Sequence, residues 1–442
     1  MYSDKIEKLL KGQKIKVGDT IKISSKKGDF EGTLMPRTES GDSSIFIVKL
    51  GNGYNIGIKA DSSLKISLIK SGNREFSFPK MVAKHGRNPE SVSLIYTGGT
   101  IGSKIDYVTG GVHMLTKPEE LLYEVPELSG IANIDVKNLM QIASEDMTHL
   151  EWAEIANAAV KSLNEGAKGI VITHGTDTMH FTSAALSFML KDLNAPVVLT
   201  GAQRSSDRGS SDAFMNLICS TYIAARSDIA EVGICMHATP SDNACSFIRG
   251  TKARKMHTSR RDAFKPINSM PIALVSQNGK ISYESDYKKR QNWNKNASAL
   301  TKFDPKVALA NAYPNSDPGI IDYYIKKGFK GIIIEGTGLG HAPVSPSITE
   351  NSWLKNIKDA IDSGVIIGMT SQCIYGRVNM NVYRNLRLLS ETGVIYCEDM
   401  LPEVAFVKLG FLLGNYGQKK AKEMLGKNMA GEMTERIEMD VD

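Results

Sequence analysis

Two loops carry hydroxyls where chemistry could be done. In "YTGGTIGS" an apolar run at 92–96 ends in Gly98 and Gly99 and then presents Thr100. In "THGTDTMHF" a second apolar run at 169–173 leads to Gly175, followed by Thr176 and Asp177. Glycine lets the backbone approach a ligand closely and leaves amide hydrogens free for an oxygen that turns negative during reaction. Each loop can therefore offer a hydroxyl and part of an oxyanion site. A glycine-rich turn after a strand is also a common structural feature, and "TGGT" alone leaves both readings open. The spacing excludes three other chemistries. Glycines at 98, 99 and 102 do not make the G-x-G-x-x-G of a dinucleotide loop, no Gly-Lys-Ser/Thr follows as in a phosphate-cradling loop, and neither loop contains G-x-S-x-G. His174 and His180 flank the second loop but stand six residues apart, without helical metal spacing, so packing or loop hydrogen bonding is expected of them. His113, His237, His257 and His341 are scattered, and no metal site is expected.

The elements that must position these loops fall into three textures. Within 1–80, after a helical start at Asp4 to Leu10, short alternating runs such as "DTIKIS", "FEGTLM", "SSIFIVKL" and "YNIGIKA" are punctuated by Gly, Asp and Asn. This is the pattern of a small β-barrel or sandwich. "GRNPESVS" then reads as a linker. Over 90–280, the apolar strands "VSLIY", "GIVITH", "PVVLTG", "VGICMH" and "PIALVS" are separated by helical periodicities such as "HLEWAEIANAAVKSLNEG". Strand alternating with helix predicts an α/β unit built on a mainly parallel sheet covered on both faces, with ligands at the carboxyl ends of its strands. A polar connection at 281–304 leads to a smaller α/β unit over 305–430, and 431–442 forms an acidic tail expected to fray.

At 442 residues, with 41% hydrophobic and 23% charged residues, the composition is that of a soluble multidomain protein. No run of about eighteen apolar residues crosses a bilayer, and charge interrupts the N-terminus before a signal core develops. A cytoplasmic location is expected. Five cysteines form neither a CxxC pair nor a disulfide framework, so reduced, packed thiols are expected. The net charge of +6 permits an acidic partner without requiring one.

Five motifs in order carry a resemblance: "YTGGTIGS", "IASEDM", "HGTDTMHFTSAAL", "VVLTGAQRSSDRGSSDAFMNL" and "RKMHTSRRDAF". Together they are similar to the bacterial-type L-asparaginases, amidohydrolases whose nucleophile is a threonine. The resemblance implies that Thr100 is the primary nucleophile, Thr176 and Asp177 the second threonine and its acid, and Lys255 the family's lysine. A threonine hydroxyl is a poor nucleophile until a neighbour takes its proton, and a lysine can do so only when neutral or coupled to a carboxylate. Backbone amides at Gly99, Thr100 or Gly175 are the oxyanion candidates. Two departures stand out. The family's loop tyrosine lies further along than Tyr107, which is seven positions after Thr100. Its serine-glutamine pair for the substrate's backbone end is here Ser144 and Glu145, where a carboxylate would hold an ammonium. Ser144 reads equally well as a helix N-cap in "SEDMTHLE".

The N-terminal β segment and the loop "SKIDYVTGGVHM" extend the resemblance over the whole chain, to the D subunits of archaeal glutamyl-tRNA(Gln) amidotransferases. That resemblance implies ammonia release from glutamine or asparagine and its use by a partner E subunit to convert Glu-tRNA(Gln) to Gln-tRNA(Gln). It also implies no cofactor in this chain, with ATP, magnesium and most tRNA contact on the partner, and a dimer of such heterodimers. The alternative is a stand-alone asparaginase or glutaminase with an accessory β domain; a binding protein that has lost catalysis is a further rival.

Overall fold

The computed structural model describes residues 2–26, 28–35, 43–50, 55–61, 64–72, 90–105, 112–114, 125, 127–205, 210–291 and 295–437. The first segment is an antiparallel sheet of β1 (Thr20–Ser25), β2 (Gly28–Leu34), β3 (Ile45–Leu50), β4 (Asn55–Lys59) and β5 (Lys65–Lys70), in the order β4-β3-β2-β1-β5. Its core joins Ile21, Ile23, Leu34, Phe46, Val48, Ile58 and Ile66 to Ile6 and Leu10 of helix α1 (Asp4–Gly12), with Tyr2 just ahead of it. Among the described residues the strands pair as an open sheet, in which β4 and β5 are the edges, rather than as a closed barrel.

The central sheet begins with β6 (Ser91–Tyr96), β7 (Asn133–Asn138), β8 (Gly169–Thr173), β9 (Val197–Thr200) and β10 (Val232–His237), all parallel. β8 and β9 are buried at every position, as a sheet covered on both faces requires. Alternation divides their side chains. Ile170 and Ile172 of β8 join one core with helix α2 (His149–Asn164), α3 (Met179–Met189) and the C-terminal unit. Val171 and Val198 join the other with α4 (Ala213–Arg226).

Beyond β10 the expected βα alternation ends. β11 (Cys245–Arg249) returns antiparallel to β10, because the short turn between them cannot carry a crossover helix. A separate two-stranded ribbon of β12 (Ala253–Lys255) and β13 (Phe264–Pro266) follows, while β14 (Ala273–Val275) and β15 (Ile281–Tyr283) extend the sheet, again antiparallel. "PIALVS" is thus an antiparallel strand, and the segment 281–304 begins inside the sheet. Further along, Ser298–Ala299 pairs with Leu190–Lys191.

The C-terminal unit is a parallel sheet of β16 (Val307–Asn311), β17 (Gly331–Gly336), β18 (Ile366–Ser371) and β19 (Ile395–Tyr396). Helices α5 (Gly319–Lys326), α6 (Trp353–Asp362) and α7 (Arg384–Glu391) accompany it. Its long helix α8 (Pro402–Met424), broken at Gly417 where φ is 74°, packs on α3 and merges the two units into one core. The start of the acidic tail is not frayed. Glu432 is fully buried and accepts from Lys408 Nζ at 2.6 Å, while Thr434 Oγ1 donates to Asp399 at 2.6 Å. Residues 438–442 lie outside the described residues.

Among the described residues no helix is long and apolar enough to cross a membrane. Cys219, Cys235, Cys245 and Cys397 are buried free thiols and Cys373 is exposed.

Candidate active site

The two threonine loops leave the carboxyl ends of neighbouring parallel strands, β6 and β8, and meet there. Thr97 Oγ1 donates to the Thr173 carbonyl at 2.6 Å, tying the loops at their base. Gly98 and Gly99 have φ of 111° and 89°, a region that L side chains rarely adopt. A Cβ on Gly99 would lie 2.6 Å from the carbonyl carbon and oxygen of His174 and 2.7 Å from the Gly175 nitrogen. The glycine is therefore what permits backbone-to-backbone contact between the loops. Thr100 follows, half-buried, as the first residue of a 3-10 turn (Thr100–Gly102).

Thr176, Asp177 and Lys255, far apart in sequence, come together. From the last position of β12, Lys255 Nζ donates to Thr176 Oγ1 at 2.9 Å and to Asp177 Oδ1 at 2.6 Å. Thr176 is buried, Lys255 keeps only 10% of its side-chain exposure, and Asp177 keeps 68%. The carboxylate is thus open to water on its outer side while the ammonium lies against the hydroxyl. Because the lysine occupies a lone pair of the Thr176 oxygen, the hydroxyl hydrogen is left to point elsewhere.

Ser144 and Gly175 also meet: a Cβ at Gly175 would stand 2.7 Å from Ser144 Cβ and 2.8 Å from its Oγ. Ser144 opens a 3-10 turn (Ser144–Asp146) and is buried, whereas Glu145 on the same turn is exposed. The N-cap lies four residues later. Thr148 and Glu151 form the capping box of α2, with Leu150 N donating to Thr148 Oγ1 at 3.2 Å and Thr148 N donating to Glu151 Oε2 at 2.7 Å. This frees Ser144 for the loop, where its carbonyl accepts from Thr178 Oγ1 at 2.6 Å. Tyr107 lies outside the described residues; on either side of it, Ser103–Ile105 and Val112–Met114 pair as a hairpin.

His174 is fully buried, with Nδ1 2.6 Å from the Gly175 carbonyl and Nε2 2.8 Å from Thr182 Oγ1, which also accepts from Trp152 Nε1 at 3.0 Å. Burial lowers its pKa to about 4, against the opposing pull of the Gly175 carbonyl, so at neutral pH it is an uncharged brace under the loop. His180 is pushed to about 3, first by burial and then by the charges of Arg254 and Lys255. Among the described residues no group of three or more His, Cys, Asp or Glu side chains is placed to hold a metal.

The sequence assigns no role to several residues at the site, although Gly201 and Arg254 lie within the quoted motifs. Gly201, after β9, approaches Thr176: a Cβ there would lie 3.1 Å from Thr176 Cγ2 and 2.6 Å from the His174 oxygen. Arg254, beside Lys255, reaches Glu403 of α8 at 3.4 Å. The run "PEVAF" that holds Glu403 has no local signature of a site.

The chain is similar to known proteins along most of its length. Residues 91–289 match the family model for the asparaginase N-terminal domain, 306–425 the glutaminase/asparaginase C-terminal domain, and 15–69 the GatD N-terminal domain. The D subunit of the glutamyl-tRNA(Gln) amidotransferase from Pyrococcus furiosus is 48% identical over 443 residues, covering 97% of this chain and 98% of that protein. The chain belongs to the family of glutamyl-tRNA(Gln) amidotransferase D subunits. Another family member, from Methanothermobacter thermautotrophicus, is 45% identical over 98% of both chains. Among solved structures, the thermostable L-asparaginase of Thermococcus kodakarensis superposes with a TM-score of 0.68 at 28% identity, covering 78% of this chain and all of that one. The D-subunit family thus carries an asparaginase-like fold preceded by an antiparallel β segment.

Proposed function

We propose that this chain, the amidohydrolase-type component of a tRNA-dependent amidotransferase, releases ammonia from a side-chain carboxamide through a threonine acyl intermediate. The observation that carries the reading is the pair of bonds from Lys255 Nζ to Thr176 Oγ1 and Asp177 Oδ1, at 2.9 and 2.6 Å, on the loop whose His174–Gly175 backbone packs against Gly99, the residue before Thr100. In the resting arrangement Lys255 donates to both partners, so it accepts a proton only after passing one to Asp177, whose exposed side can relay it to water. Thr100 Oγ attacks the amide carbon as its O–H bond breaks, the proton passing by way of the Thr176 hydroxyl to the Lys255 amine so freed. The carbonyl oxygen becomes negative and is stabilised by backbone amides at Gly99, Thr100 or Gly175. The intermediate collapses as the amide nitrogen takes that proton back from Lys255 and leaves as ammonia, and water then cleaves the acyl-threonine, releasing the carboxylic acid and regenerating the hydroxyl. Ser144 and Glu145, at the edge of the loop, fit the substrate's backbone end, with the exposed carboxylate facing its ammonium.

The donor is glutamine or asparagine, and the ammonia is passed to a partner E subunit that holds ATP and magnesium and converts Glu-tRNA(Gln) to Gln-tRNA(Gln) in the cytoplasm. Two copies of each subunit make the assembly. Full-length similarity to the D subunits, N-terminal segment included, favours this over a free asparaginase, since the asparaginase match covers only 78% of the chain. The test is ammonia release from glutamine and asparagine by the chain alone, then with partner, ATP and Glu-tRNA(Gln). Strong stimulation supports the coupled reading, and rapid unstimulated hydrolysis overturns it in favour of a free asparaginase.

A further inference from the structure

We propose that the C-terminal unit positions the relay lysine through the Arg254–Glu403 pair, making these two side chains positioning residues for amide hydrolysis. The inference rests on the relay reading above. Arg254 and Lys255 are consecutive in β12, so alternation sends their side chains to opposite sides, and Lys252 sits in the turn just before the strand. Lys252 and Arg254 both meet carboxylates of the C-terminal unit: Lys252 Nζ reaches Asp399 Oδ2 at 2.6 Å and Arg254 Nη1 reaches Glu403 Oε2 at 3.4 Å. On the other side Lys255 meets Thr176 and Asp177. The catalytic candidate thus stands on one face of a short ribbon whose neighbouring residue is tied to another unit.

The two clamps differ in kind. Lys252 and Asp399 are 1% and 0% exposed, and Asp399 also accepts from Thr434 N at 2.9 Å and Thr434 Oγ1 at 2.6 Å, so this carboxylate is saturated and acts as an anchor. Glu403 is also buried, yet its Oε1 has no hydrogen-bond partner and its contact to Arg254 is single and long. Glu403 thus holds Arg254 through one oxygen only, and its charge also acts at short range on Arg254 and what lies beside it.

The charged and titratable groups about Arg254 and Lys255 come from several elements. Asp177, from the loop after β8, is bonded to Lys255; His180 of α3 faces both cations; and Glu403 of α8 and Glu335 of β17 face Arg254. Burial raises the carboxyls of Glu403 and Glu335, and the Arg254 charge opposes that rise in both. With His180 held neutral, Arg254 is the cation next to the relay and Glu403 its counter-charge.

The test uses the full chain, with its partner present if needed for turnover, and measures kcat and KM for ammonia release from glutamine across pH. Glu403→Gln and Arg254→Gln are each expected to lower kcat about tenfold, through small displacement of the lysine, with KM within about twofold. The acid limb of the kcat profile shifts in opposite directions. It moves to lower pH when the negative charge is lost and to higher pH when the positive one is lost, and the double variant returns towards the parent position. A structural role alone would lower thermal stability and leave the limb in place, and that result overturns the proposal. If Glu403→Gln does not fold, Arg254→Gln and Arg254→Lys carry the test: the first must shift the limb to higher pH, and the second, which keeps the charge, must leave it in place. Lys255→Met separates the two layers. An active Lys255→Met sinks the relay itself, whereas an inactive Lys255→Met with unshifted charge variants sinks only the positioning role.

Discussion

Replacing Gly99 by alanine is a demanding test of the site geometry, because the substitution adds one methyl group and touches no proposed catalytic side chain. At φ 89° an L residue is strained by about 1–3 kcal/mol. The new Cβ would sit 2.6 Å from the His174 carbonyl, where an ordinary contact begins near 3.4 Å, so the loops must separate by about 0.8 Å. The neighbour is backbone, braced by the His174 ring and by the Thr97 bond to Thr173, and cannot swing aside as a side chain could. A displacement approaching 1 Å between a nucleophile and its partners costs on the order of 100-fold in rate. Gly99→Ala is therefore expected to lower kcat for ammonia release by roughly two orders of magnitude. The strain should also lower Tm by roughly 5 °C, at 2–4 °C per kcal/mol for a unit of this size. Ammonia release coupled to a dehydrogenase readout, beside a thermal melt, measures both. An alanine variant that keeps kcat within threefold of the parent would refute the claim that this glycine sets the distance between the threonine loops.

Further expectations follow from the same geometry. Thr100→Val and Thr176→Val are nearly isosteric and should each reduce ammonia release by at least about 1000-fold with an unchanged melt; near-normal turnover by Thr100→Val removes it as nucleophile. Lys252→Met leaves Asp399 buried and partly unpaired, and should destabilise the protein by about 3–5 kcal/mol in chaotrope unfolding; a change under about 1 kcal/mol contradicts the anchor. His174 has its folded pKa depressed to about 4 from 6.5, so only the unfolded chain takes up this proton between those values. Stability should be fully present above pH 6.5 and fall by up to about 3 kcal/mol as pH drops towards 4. His174→Gln should flatten that slope, and an unchanged slope would assign the acid sensitivity to other groups.

Much of the architecture was legible along the chain because it is written in local periodicity. Runs such as "GIVITH" and "PVVLTG" are apolar at consecutive positions, which a strand buried on both faces demands, and "HLEWAEIANAAVKSLNEG" carries its own helical repeat. The loops at Thr100 and Thr176 were equally visible, since glycines after a buried strand declare a close approach. The N-terminal pattern declared strands but not how they close, because closure depends on pairing between edges. The antiparallel return after β10 also went unread. "PIALVS" looks alike whichever way its neighbour runs, and direction is set by the length of the turn at 238–244 and by pairing across the sheet. The N-cap was displaced for a similar reason: "SEDMTHLE" offers hydroxyls at Ser144 and Thr148, and only the packing of Ser144 against Gly175 decides between them.

The sequence by itself determined the residue types at the site, the order of its loops and the texture of each unit, for these depend on neighbours a few positions away. What only the tertiary structure decided is which distant groups meet. Lys255 stands 79 residues from Thr176, and Arg254 stands 149 from Glu403. Contacts at such separations leave no local period. They arise because β12 is held between the two units, where burial and charge act through space and not along the chain.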